Sequence, residues 1–296
     1  MTHRTMLRAV CSSLPGRLTL ALALAAAPTL SALQAAGAPS GPAKVKVTTS
    51  RGEFDLVVYG ATPSEATAGS AAGEPGPSDP RRLDPKPVVL LVSGEGGWKS
   101  FDILLSGFLS ADGFWVGGVD AKAYFGEPQD DRGLLAADMR SFAGSLQKAA
   151  GRPVDAPLIL VGYSFGADLA PWIGGAGGWG GRIRGLVMIG PDENGSLEYR
   201  ITEMLGFSYK EHSFPVAEAL RSAAGIPTLF IHGEKDGWSA APKLAGAAAE
   251  PKKLIVVPRA THHFSGHEEE LRAALREGMR WLLEGRAATL PSWSSR

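Results

Sequence analysis

The chain has 296 residues, with 30 basic and 30 acidic side chains in balance and a single cysteine. No Lys/Arg stripe stands out to contact phosphates, so a nucleic-acid partner is not expected. The one cysteine, Cys11, excludes an internal disulfide framework and a Cys-based zinc site.

Arg4, Arg8 and Arg17 precede an apolar run from Leu18 to Leu33, and Ala36, Gly37 and Ala38 supply an Ala-x-Ala end. This is the layout of an export signal over residues 1–38, with cleavage expected near Ala38. The alternative is an uncleaved anchor, although the run falls short of the roughly 20 apolar residues of a spanning helix. In both readings the remainder is expected outside the cytoplasm. Cys11 lies within the export segment, so the mature chain is expected to carry no cysteine and no thiol chemistry. The remaining length, about 255 residues, suits one α/β domain.

Residues 39–87 divide into a predicted hairpin and a loop. Val45 to Tyr59 reads as two strands around Ser50, Arg51 and Gly52, with Phe54, Leu56 and Val58 alternating. Ala61 to Pro87 is rich in Ala, Gly, Ser, Pro and Glu and is expected to be a flexible loop. From 88 to 286 short apolar runs alternate with helical periodicity. Strands are expected at Val88–Val92, Trp115–Val119, Leu158–Val161, Leu186–Ile189, Thr228–Ile231 and Leu254–Val257. Helices are expected from about Ser100 to Ser110, through Leu135, Met139, Phe142 and Leu146, and from about His267 to Glu284. In the last helix Leu271, Leu275, Met279, Leu282 and Leu283 form the apolar stripe. Uniformly apolar strands separated by helices predict a mostly parallel sheet with helices on both faces. The tail 287–296 is expected to be disordered.

The chemistry centres on Gly162, Tyr163, Ser164, Phe165 and Gly166, directly after one apolar run and before the expected helix from Ala167. A serine between glycines at a strand-to-helix turn is the nucleophile-elbow context of the α/β-hydrolase fold. The competing reading is a tight turn with an inert serine. Asp236 follows the strand ending at Ile231, and His262 follows the strand ending at Val257, completing the order Ser, Asp, His. Glu234 is the alternative acid and His263 the alternative base; His263 is otherwise expected to contact substrate. The loop Ser93 to Trp98 follows the strand Val88–Val92, where this fold donates one oxyanion N–H. That donor is assigned to Glu95 and the second to Phe165, with Trp98 expected at the substrate. A phosphate cradle is the other use of a Gly-rich loop, but the Gly-Lys-Ser/Thr ending is missing. His262 and His263 lack helical ligand spacing, so no metal is expected, and the acyl-transfer chemistry needs no cofactor.

Ser93 to Trp98 with Phe101 and Asp102, Gly118 to Asp120 with Tyr124 and Phe125, Gly162 to Asp168, the Ile189-Gly190-Pro191 turn and Thr261 to Gly266 together resemble the bacterial VirJ/AcvB-type virulence proteins. The resemblance spans about Val88 to Leu283. It implies a periplasmic serine hydrolase that removes the amino acid from lysyl- or alanyl-phosphatidylglycerol, with aminoacylated phospholipid at the membrane surface as its partner. It also marks Asp168 as a candidate to bind the aminoacyl ammonium. A structural role, capping or pairing with Arg182 or Arg184, is the alternative. Glu95 stands where the family more often has Asp. Trp172, Trp179 and Trp238, with the Gly174–Gly181 stretch, suggest a lipid-facing lid, against which core packing is the better expectation for each tryptophan. Other readings are a general carboxylesterase or lipase and a non-catalytic periplasmic partner of a secretion system.

Overall fold

The computed structural model describes residues 42–61, 86–199 and 212–284. The expected export segment, nearly all of the 61–87 loop and the 287–296 tail lie outside the described residues. Strands β1 (Ala43–Thr49) and β2 (Gly52–Tyr59) form the expected hairpin. Gly52 takes φ +112 at its turn, a conformation L side chains rarely adopt. The hairpin does not stand apart. β2 pairs antiparallel with β4 (Val116–Val119), which extends the main sheet.

β3 (Val88–Val92), β5 (Leu158–Tyr163), β6 (Ile183–Ile189), β9 (Thr228–Gly233) and β10 (Lys252–Val257) join β4 in parallel pairings. The sheet order is β1-β2-β4-β3-β5-β6-β9-β10. Among the described residues the helices are α1 (Ser100–Ala111), α2 (Ala121–Tyr124), α3 (Arg132–Ala149), α4 (Phe165–Gly174), α5 (Val216–Ser222), α6 (Ala241–Ala247) and α7 (Glu268–Glu284). β7 (Asn194–Ser196) and β8 (Ser213–Pro215) form a separate short antiparallel pair.

Alternation along the strands builds two core layers, because successive side chains leave opposite faces of a sheet. Leu90, Leu160, Met188 and Phe230 meet α3 and α4 through Met139, Phe142, Leu169 and Ile173. Val89, Ile159, Val187 and Leu229 instead meet Leu105 and Leu109 of α1 and Leu271, Leu275, Met279 and Leu282 of α7. Two expectations fail at the margin. β10 is an edge strand whose Leu254 and Val256 are 37% and 44% exposed, since an edge strand is not covered on both faces. Leu283 falls outside the buried stripe of α7 and is 36% exposed, one position beyond the helical repeat that carries Leu282 inward.

The hairpin is fastened to α3 by a buried carboxylate. Asp138 accepts the Ser50 N–H and hydroxyl at 2.7 Å each and the Tyr124 hydroxyl at 2.5 Å. Burial and that acidic partner push the Tyr124 phenol up. Replacing Asp138 by alanine removes three hydrogen bonds, and the expected loss is about 3 kcal/mol of stability. Denaturant titration, read as a lower midpoint with unchanged slope, checks this.

Candidate active site

The carboxyl ends of β3, β5, β9 and β10 lie along one edge of the sheet, where parallel α/β sheets place their ligands. Each end contributes one piece of the site. Ser164 sits between β5 and α4 with φ 51 and ψ −119, a strained backbone for a residue with a side chain. Its N–H donates to the Ile189 carbonyl at 2.8 Å, and its own carbonyl accepts the Ala167 and Asp168 N–H groups that open α4. The flanking glycines are steric necessities. A Cβ at Gly162 would lie 2.0 Å from the Gly166 oxygen, and one at Gly166 would lie 2.2 Å from the Val92 oxygen.

His262, on the loop after β10, brings Nε2 to 3.0 Å from Ser164 Oγ. Its Nδ1 is 2.8 Å from Asp236 Oδ2, and both residues are buried. Asp236, on the loop after β9, uses Oδ1 to accept the N–H groups of Trp238 at 3.0 Å and Ser239 at 3.1 Å. Burial pushes this carboxyl up, but the hydrogen bond and charge of His262 and the two loop N–H groups outweigh it, and the net position is below the ordinary value. Gly190 makes room for the imidazole: a Cβ there would meet His262 Cε1 at 3.0 Å.

The open alternatives resolve by geometry. Glu234 is turned away and accepts the Arg259 N–H at 2.7 Å. His263 is exposed, with Nδ1 2.8 Å from the Tyr163 hydroxyl, so it stands beside His262 and not at Ser164. Phe165 is the first residue of α4, so its N–H has no acceptor inside the helix. Glu95 lies half-buried on the loop after β3; burial outweighs the charge of His262 and holds its carboxyl above the ordinary value.

Asp168 forms no ion pair with Arg182 or Arg184 among the described residues. It is buried, and Oδ1 accepts the Asp192 N–H at 2.8 Å. Desolvation raises its pKa well above the usual carboxylate range. Arg182 is used instead on the Trp179 and Val154 carbonyls. Trp98 is packed on the strand: a Cβ at Gly118 would come 2.0 Å from its ring. Trp179 is buried and Trp172 stacks on Phe214 at 4.4 Å, as core packing requires. Trp238 departs from that expectation. It is 71% exposed, with its ring 5.4 Å from His262 and 6.2 Å from His263. The Gly174–Gly181 stretch is tied down, with Trp179 Nε1 donating to the Ile173 carbonyl and Arg140 to that of Gly177.

Sequence reasoning missed Tyr163 as the hub of this edge. Its hydroxyl donates to the His262 carbonyl at 3.3 Å, and its ring packs on Phe101 at 4.2 Å. The available signal was its place in the elbow, where an aromatic beside the nucleophile must have a neighbour.

A hydroxyl, an imidazole and a buried carboxylate in one hydrogen-bonded line, set on a strand-to-helix elbow above a mostly parallel sheet, define the class: an α/β-hydrolase fold. The family model of the bacterial virulence protein VirJ matches residues 86–282, and the chain belongs to that family. Among solved structures, a serine hydrolase without a lid from Xanthomonas campestris is similar, with a TM-score of 0.53 and 19% identity over 82% of this chain and 95% of that one. A dienelactone hydrolase from Anabaena variabilis has a TM-score of 0.54 and 15% identity over 83% and 99% of the two chains. The esterase domain of a Rhodothermus marinus protein has a TM-score of 0.53 and 15% identity over 81% and 98%. These likenesses establish the fold. No match was found among curated proteins.

Proposed function

We propose that this protein is an exported, periplasmic serine hydrolase that cleaves the aminoacyl ester of aminoacylated phosphatidylglycerol. The observation that carries the hydrolase reading is the continuous line from Ser164 Oγ to His262 at 3.0 Å and on to Asp236 at 2.8 Å. In this reading His262 takes the proton of Ser164 as Oγ attacks the ester carbonyl carbon. Asp236 holds the tautomer that leaves Nε2 free to accept, and it stabilises the imidazolium. The N–H groups of Glu95 and Phe165 receive the oxyanion, each worth on the order of 3 kcal/mol in the transition state. His262 returns its proton to the leaving glycerol oxygen, and water, activated by the same imidazole, releases the amino acid from Ser164.

The lipid ester is what the resemblance to the VirJ/AcvB-type proteins implies, and Glu95 suits the aminoacyl half. A half-buried acidic side chain on the loop after β3 suits an acyl group carrying an ammonium. Among the described residues no helix is long and apolar enough to cross a membrane. The exposed Trp238 beside His262 suits an interface with the headgroup surface that carries the substrate.

Incubation of the purified protein with vesicles containing lysyl- or alanyl-phosphatidylglycerol, with free amino acid as readout, tests the proposal. Release by the wild type and not by Ser164→Ala is the expected result. Labelling by a fluorophosphonate without release would move the substrate to another ester. Neither labelling nor release would favour a binding module built on the hydrolase scaffold.

A further inference from the structure

Asp102 is the third residue of α1 and is buried, yet its carboxylate does more than cap that helix. Oδ2 accepts the Lys99 N–H at 3.2 Å, which is the capping contact; Oδ1 reaches back eight residues to accept the Gly94 N–H at 3.2 Å. The two bonds close the loop that carries Glu95. Other contacts hold the same loop from below. Ser93 Oγ accepts the Ala121 N–H at 2.9 Å, Gly97 N–H donates to the Gly94 carbonyl at 3.0 Å, and a Cβ at Gly94 would come 2.9 Å from the Tyr163 ring. With Gly94 N–H taken, Glu95 follows it with no acceptor for its own N–H among the described residues.

We propose that Asp102 is a positioning residue of the reaction: its carboxylate, gripping the N–H groups of Gly94 and Lys99, holds the Glu95 N–H where the oxyanion forms beside Ser164. This rests on the serine-hydrolase reading and goes beyond it. An ionised carboxylate accepts strongly on both oxygens, whereas a protonated one turns its hydroxyl oxygen into a weak acceptor. An asparagine can cap Lys99, but its amide would turn a donor toward the other N–H. The grip carries a stability cost. Desolvation, opposed by the N–H bonds and reinforced by Asp120, raises the Asp102 pKa to about 6. The groups facing it are Asp120, Tyr59 and Tyr163. Because the folded value lies above the ordinary carboxylate value, ionisation at higher pH weakens the fold, and stability recovers as pH falls through about 6. A purely structural cap has no need of that charge.

The test is Asp102→Asn in the purified protein, with p-nitrophenyl acetate turnover, fluorophosphonate labelling and thermal unfolding followed across pH. The variant is expected to lose about tenfold or more in kcat with KM nearly unchanged, since the oxyanion contact acts in the transition state. The stability advantage of the wild type over the variant is expected to be smaller at about pH 8, where the wild type carries the buried charge, than at about pH 5. In the wild type, the amide resonances of Gly94 and Lys99 are expected to titrate together with a midpoint near 6, a readout that stands even if the variant fails to fold. Unchanged kcat, or amides that do not titrate, overturns the proposal and leaves Asp102 a helix cap. A wild type that neither labels nor turns over the ester removes the serine-hydrolase reading, and the positioning role with it.

Discussion

Ser164→Ala is expected to abolish fluorophosphonate labelling and to lower ester turnover by about a millionfold, because nucleophile and base act as one unit. The loss should be purely chemical. Ser164 Oγ stands 3.0 Å from His262 Nε2 in a partly open site, so alanine strands no deeply buried donor and the unfolding midpoint should hold. The strain at this position adds a second readout. Ser164 holds φ 51 and ψ −119, and glycine adopts positive φ without the side-chain penalty. Ser164→Gly is therefore expected to be as inactive as alanine yet more stable by about 1 kcal/mol. A glycine variant no more stable than wild type would show that the elbow stores no strain of its own.

Asp236→Asn carries the second large effect, an expected fall of about 10⁴ in kcat. The buried carboxylate accepts from His262 Nδ1 at 2.8 Å on one oxygen and from two backbone N–H groups on the other. An asparagine with its amide nitrogen toward His262 would favour the tautomer whose Nε2 bears the proton, and that nitrogen could no longer take one from Ser164. The pH sense follows from the lowered folded pKa of Asp236. A depressed carboxyl contributes stability above its ordinary value of 3.8 and loses it as pH falls through the folded value. The stability advantage of the wild type over Asp236→Asn should therefore be full at neutral pH and shrink below about pH 4. Unfolding midpoints measured from acid to neutral pH check the trend. Glu234→Gln is the control, with unchanged turnover expected, since Glu234 is exposed and accepts the Arg259 N–H.

The pairing of Ser164, Asp236 and His262 was legible because each follows an apolar strand, and a parallel sheet brings the carboxyl ends of its strands to one edge. The chain order of the α/β-hydrolase fold then suggested the three roles proposed for them. The choice of His262 over His263 was not legible. Neighbouring residues on a loop point in different directions, and only the Tyr163 hydroxyl, which takes up His263, and the gap at Gly190, which admits the His262 ring, separate them. Asp168 shows the reverse case. A carboxyl one turn past Ser164 reads as a substrate contact or an ion pair, yet the fold buries it on the Asp192 N–H.

By itself, the sequence determined the alternation of strands and helices, the two-faced core and the elbow at Ser164, since these rest on local periodicity and on glycines that a tight turn demands. Tertiary structure decided the rest. The hairpin became part of the main sheet because β2 found β4 as an antiparallel neighbour, a pairing across a long stretch of chain that no local pattern encodes. Trp98 went to Gly118 and Trp238 stayed 71% exposed at His262, although both are tryptophans on loops after strands. Apolar character says that a side chain gains by burial; only the surrounding packing says whether there is space to bury it.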